Sequence, residues 1–162
     1  MPLQLDWKSL LESFRRWNGG LPPRMQVAAL PWRRTGNGDL EVLLVTSRGK
    51  GRWVLPKGWM KPGEQPHEAA EREAFEEAGV TGRPSTVEIG RFLYIKRRKK
   101  AVPLRCEVTV IPLEVAEEKE KWPERKVRRK QWFSPQEAAR MVEEKDLARL
   151  ILSFNNPRES AS

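Results

Sequence analysis

Alanine recurs every four residues in one short segment, at Ala70, Ala74 and Ala78, with Phe75 beside it. Wound at about 100° per residue, the three methyl groups fall on one stripe. The spacing therefore predicts a helix over about 66–78 that packs its backbone close to a neighbouring layer. The punctuation agrees: Pro62-Gly63 makes a turn, Pro66 suits the first helical turn, and Gly79 suits the position just past the end. The same winding places Glu73, Glu76 and Glu77 on an adjoining arc of roughly 100°. Carboxylates related as i, i+3 and i+4 repel, and Arg72 can offset only part of this through Glu76 or Glu68. On its own a Glu-rich helix face is an ordinary solvated surface, since Glu is a good helix former. Here the context is unusual. Six glutamates and one arginine lie between Glu64 and Glu77 in a chain of net charge +9. A divalent cation neutralises such a set. Hard carboxylate oxygens suit Mg²⁺ or Mn²⁺, which commonly share phosphate oxygens with a substrate.

The rest of the chain reads as strands around two helices. Strand-like runs fall at 25–32 and 40–46, joined by "TGNGD", and a short one at 53–56. Two more, at about 87–95 and 103–113, flank "KRRKKA", and a last one near 127–133 follows a charged loop. Ser134 can cap a single final helix, with Pro135 at its first position and "EAARMVEEKDLARLILSF" after it. The class is α/β, with a mixed sheet between helices. Leu3, Trp7, Leu10, Leu11, Phe14 and Trp17 mark an amphipathic helix, followed by the linker "NGGLPPR". Its expected role is packing on the domain or on a second copy in a homodimer. Asp6 and Glu12 weaken a membrane-surface role. The expected organisation is a helix and linker over 1–23, a domain over 24–153 and a loose tail over 154–162.

Composition narrows the classes of function. A hydrophobic fraction of 38% with seven Trp in 162 residues supports one cored domain and excludes a disordered polycation. No run approaches the ~18–20 apolar residues of a membrane span, and the first residues lack the pattern of a secretory signal. Cys106, the one cysteine, lies in an apolar alternation and reads as a buried strand thiol. Together these point to a reducing cytoplasm. A pI near 10 favours polyanionic partners, but charge alone does not choose among nucleic acid, polyphosphate and anionic membrane. His67, the single histidine, reads as a surface residue by helical phase.

The frame from Gly58 onward carries more. "GWMKPGEQPHEAAEREAFEEAGV" sets Gly58, five residues, Glu64, seven residues, Arg72-Glu73, Ala74, one residue, Glu76-Glu77, one residue, Gly79 and Val80. This resembles the Nudix box at every fixed position. The resemblance implies an α/β/α sandwich whose box forms a loop–helix–loop. It also implies Mg²⁺- or Mn²⁺-dependent hydrolysis of a phosphoanhydride by an activated water. Glu73 and Glu77 would be metal ligands, with the Gly58 carbonyl as a third. Glu76 would bind metal or act as the base, Arg72 would orient the carboxylates, and Glu64 would brace the loop or join the metal shell. Glu117, Glu118 and Glu120 are candidates for a further carboxylate from a later loop. "LLVTSRGKGRWVLPKGWMKPGE" and "KWPERKVRRKQWF" further resemble the diphosphoinositol polyphosphate phosphohydrolases, which also cleave dinucleoside polyphosphates. That likeness implies phosphate contacts from Ser47, Arg48, Arg128 and Lys130, and a basic hairpin formed by Lys96–Lys100 with Arg105. "PKG" and Tyr94 instead resemble marks of the dinucleoside tetraphosphate hydrolases. The expected partner is a small polyphosphate. RNA 5′-end processing and a non-catalytic metal- and RNA-binding module are the alternatives.

Overall fold

The computed structural model describes residues 23–154. The helix read over 3–17, its use in a homodimer, and the tail beyond Phe154 lie outside the described residues. Eight strands form one sheet: β1 (Arg24–Arg34), β2 (Leu40–Thr46), β3 (Trp53–Val54), β4 (Lys57–Trp59), β5 (Val80–Pro84), β6 (Gly90–Arg98), β7 (Ala101–Glu118) and β8 (Lys130–Phe133). Its spine runs β3-β2-β1-β7-β5, with β4 also on β1, β6 on β7 and β8 on β2. The sheet is mixed. β1 and β7 run parallel from Arg24↔Cys106 to Trp32↔Glu114, whereas β1 is antiparallel to β2 and β4.

β1 is buried without a break from Gln26 to Trp32, because both faces of the sheet are covered. Alternation divides it between two cores. Val27 and Ala29 join Leu43, Val45, Ile111 and Leu113 under the alanine stripe. Ala28, Leu30 and Trp32 join Val42, Leu44, Val108 and Val110 on the other side. The three-layer α/β/α sandwich is as expected. Cys106 is buried, and Ser134 caps its helix by accepting from the Glu137 N–H at 3.2 Å.

Helix α1 (Pro66–Glu73) lays Ala69, Ala70, Ala74 and Ala78 on the sheet with no exposed surface. It does not keep one winding to its end. Over Ala74–Ala78 the turn widens to π spacing, and the Gly79 N–H faces the carbonyls of both Ala74 and Phe75. Such widened turns are frequent at functional sites. Both Glu73, just before it, and Glu77, within it, are buried.

Four readings change. The expected single final helix is two, α2 (Pro135–Met141) and α3 (Lys145–Ser153). In one continuous helix Leu147 and Ile151 would lie about 180–220° around from Ala138. All three are buried in the same core, so the chain breaks at an extended Val142 and re-aims. β5 was missed because its "VTGRP" carries Gly and Pro, both poor strand signals. β7 runs through Glu118 into what read as a charged loop. Phe154, assigned to the tail, is buried with its ring edge-on to Trp32 at 6.0 Å.

Gly79 ends the π turn at φ +65°, and a Cβ there would meet the Trp122 ring at 2.5 Å. Gly79→Ala should therefore lower stability by at least about 1–2 kcal/mol from the left-handed backbone alone. Denaturant unfolding of the two proteins measures it.

Candidate active site

The loop before α1 and the helix itself are joined by one guanidinium. Arg72 forks onto Glu64, Nε to Oε1 at 2.8 Å and Nη2 to Oε2 at 3.0 Å. Nη2 also donates to the Trp59 carbonyl at 3.0 Å. Nη1 donates to Glu73 and stands 3.5 Å from Glu76 Oε2. Glu64 in turn accepts from the Lys61 N–H at 2.8 Å. The Arg72 hydrogen bonds hold the Glu64 carboxyl down to about 2 and push the Arg72 pKa further up. Glu64 thus braces the loop from behind and is not on the cleft wall.

In front of this brace, Glu73 lies directly on the backbone of Gly58, where a Cβ would stand 2.1 Å from its Oε1. Only glycine leaves that carboxylate its place. Glu77 is buried beside it; its Oε2 accepts from the Lys57 N–H at 3.3 Å and its Oε1 from Arg128 Nη2 at 2.8 Å. Burial is the largest influence on both acids. It raises the Glu73 pKa despite Arg72, and raises that of Glu77 from 4.5 to about 7 despite Arg128 and Lys57. Burial also lowers the Lys57 ammonium from its usual value. Glu76 stays more exposed, its side chain 38% accessible.

The segment between β7 and β8 closes the end of α1. The Glu124 N–H donates to the Glu76 carbonyl at 3.0 Å, and Lys130 Nζ donates to the Ala78 carbonyl at 2.9 Å. Arg128 bonds the Thr46 carbonyl at 3.0 Å and Glu124 at 3.3 Å, while Arg48 lies 3.5 Å from the other Glu124 oxygen. A cleft of about 1190 Å³ results, with Glu73, Glu76 and Glu77 on one wall and Ser47, Arg48 and Arg128 on another. Tyr94, with Lys96 and Arg97 of the hairpin, lines its far side.

Of the residues singled out from sequence, Gly58, Arg72, Glu73, Glu76, Glu77, Ser47, Arg48 and Arg128 come together on this cleft. Arg105 is not among the lining residues, although its cross-strand partner Ile95 is. His67 is half-buried on α1, away from the cleft. Glu117 pairs with Lys119, and Glu118 with Lys130 and the Trp132 N–H. The carboxylate that the later loop delivers is Glu124. Its signal was the i,i+4 spacing to Arg128, visible in "ERKVR" but easily passed over in an irregular loop. Arg52, Lys57 and Glu143 also line the cleft and were not singled out.

Among the described residues no three acidic, histidine or cysteine side chains are placed as a ready cage for a cation. The carboxylates are turned instead onto Arg72 and Arg128. The donor chemistry nevertheless fits Mg²⁺ or Mn²⁺: two desolvated carboxylates and a backbone that only glycine provides. Mg²⁺ needs no all-protein cage, since it usually takes one or two carboxylates and completes its shell with water and phosphate.

A family model described as "NUDIX domain" matches residues 22–154. "Nudix hydrolase 21, chloroplastic" of Arabidopsis thaliana is 34% identical over 136 residues, covering 82% of this chain and 67% of that protein. "Diphosphoinositol polyphosphate phosphohydrolase 3-alpha" of Homo sapiens is 38% identical over 106 residues, covering 64% of this chain and 60% of that protein. Among solved structures, a C. elegans Ap4A hydrolase binary complex superposes with a TM-score of 0.59 at 22% identity, covering 81% of this chain and 94% of that one. At that identity the likeness speaks for the fold alone.

The raised Glu77 pKa has a consequence for stability. Between about 4.5 and 7 the folded protein keeps a proton on Glu77 that the unfolded chain releases, so this group's effect is to lower stability as pH rises through that window. Glu77→Gln removes the effect. Without divalent cations, the melting temperature of the variant relative to the parent should rise between pH 5 and pH 7.5, by a few kcal/mol in free-energy terms. Thermal melts across that range check it.

Proposed function

The chain belongs to the Nudix family, and from that premise we propose a divalent-cation-dependent hydrolase of highly charged polyphosphates. The bond cleaved is a phosphoanhydride, in a dinucleoside polyphosphate or a diphosphoinositol polyphosphate. One observation carries the reading: two buried carboxylates, Glu73 and Glu77, packed on the Gly58 backbone in a cleft whose other wall is cationic. Glu73, Glu77 and the Gly58 carbonyl would hold the metal. When bound, Mg²⁺ or Mn²⁺ supplies charge neutralisation and acidifies a water. Arg72 holds Glu73 in place and keeps Glu76 in reach of the cleft. Glu76, the most accessible of the three, is free to accept the proton of an attacking water. Ser47 and Arg48 present donors to phosphate oxygens, Arg48 of the charge-assisted kind that discriminates for polyanions, while Arg128 holds Glu77 beside them. Arg105 is not part of this reading.

A relative named above supports the substrate class, since it is named for diphosphoinositol polyphosphates. No helix among the described residues is long and apolar enough to cross a membrane. The buried, unpaired Cys106 supports a reducing compartment such as the cytoplasm.

A panel of dinucleoside polyphosphates, diphosphoinositol polyphosphates and 5′-triphosphorylated RNA with Mg²⁺ or Mn²⁺ tests the proposal, with products identified. Turnover is expected on the small polyphosphates, reduced at least about 100-fold in Glu76→Gln and in Glu77→Gln. No turnover across the panel, or variants as active as the parent, ends the hydrolase reading. A salt-sensitive RNA affinity that persists without metal would then favour a binding module.

Gly58→Ala gives a separate check. The added methyl meets only the mobile end of Glu73, so the melting temperature should change little. Turnover should fall about 10–100-fold as the carboxylate is displaced.

A further inference from the structure

Arg128 is committed to Glu77, Glu124 and the Thr46 carbonyl. Two other cations on the cleft, Arg52 and Lys57, are held differently. The Arg52 backbone N–H donates to Ser47 Oγ at 3.0 Å, which ties its position to the Ser47–Arg48 turn. Its Nη1 contacts Glu143, while its buried Nε has no hydrogen-bond partner among the described residues. Lys57 Nζ sits 5.1 Å from the centre of the Tyr94 ring, and that ring is fixed by a 2.6 Å hydrogen bond to Gln26. Arg52, Arg128, Glu77 and Glu144 all lie close enough to act on the Lys57 charge.

Apart from Glu77, the acids that face these cations come from one place, the break between α2 and α3. Glu143 there is 61% exposed and Arg52 38% exposed, so their ion pair is solvated and contributes little to stability. Such a pair yields readily to a stronger anion. A phosphate oxygen can take the place of Glu143 on Nη1, in a charge-assisted hydrogen bond of the kind that guanidinium gives to phosphate. Gathering three cations at one end of a cleft is otherwise unfavourable, and a polyanion relieves it.

We propose that Arg52 and Lys57 form a subsite for a further phosphate group of the substrate chain, which in the free protein is covered by Glu143 as a displaceable counter-ion. The subsite rests on the polyphosphate reading above and deepens it, because it assigns the cleft a second phosphate position beyond the carboxylate helix. Glu143 is then a specificity device: it is displaced only by a ligand with enough charge to reach past the first phosphate.

The test uses the full chain and inorganic tripolyphosphate, with binding measured by calorimetry in EDTA at fixed ionic strength. Glu143→Gln should tighten binding about three- to tenfold and Arg52→Gln should weaken it about tenfold or more, the range of a charge-assisted hydrogen bond. In the Arg52→Gln background, Glu143→Gln should change affinity by less than about twofold, because the two are coupled. Arg52→Lys, which keeps the charge, should retain affinity between that of the parent and that of Arg52→Gln. An equal gain from Glu143→Gln in both backgrounds would reduce the effect to net charge and overturn the subsite. So would a loss in Arg52→Lys as large as in Arg52→Gln, or no tripolyphosphate binding by either the parent or Glu143→Gln. Turnover is read separately. Coupling without turnover leaves the subsite and sinks the hydrolase proposal, whereas turnover without coupling does the reverse.

Discussion

The structure of the cleft depends on the Arg72 guanidinium. It bonds Glu64, Glu73 and the Trp59 carbonyl at once, joining the loop after β4 to a helix that carries five carboxylates of its own. A lysine could not do this, since a point charge lacks the planar fork that engages Glu64 through two parallel bonds while reaching two further acceptors. With the loop held, Gly58 is delivered to Glu73. The backbone-to-carboxylate contact follows from the brace.

The cleft then sorts charge by depth. Glu73 and Glu77 are buried at the inner end of the helix, and desolvation raises both acids. Ion pairs to Arg72 and Arg128 offset that only partly, as expected when two charges leave water together. Around them stands a shell of cations, and around part of that shell stand the acids of the α2–α3 break. The alternation of sign from the helix outward is what lets a chain of net charge +9 hold both a metal-type carboxylate set and an approach for polyanions.

Much of this was legible from the chain. The alanine stripe, the caps at Pro66 and Ser134, and the strands at 24–34 and 40–46 follow from local spacing, which folding did not override. The box residues converge because a single helix and its preceding loop carry them, so sequence distance is a fair guide to spatial distance there. Arg48 and Arg128 were found only through resemblance, since 80 residues separate two groups that share Glu124. Arg105 too was named only through resemblance, and it lies outside the residues that line the cleft.

The sequence by itself determined the α/β class and the packed helix with its three glutamates. Each rests on contacts a few residues apart, whose geometry the backbone dictates. The tertiary structure decided the burial of Glu77, the contact that requires glycine at Gly58, the break that swings Glu143 and Glu144 toward the cleft, and the choice of Glu124 over its acidic neighbours. Those outcomes were set by which buried side chains, Ala138 with Leu147 and Ile151 above all, had to reach one core together. No local pattern encodes that demand, because it exists only once the sheet is there to be covered.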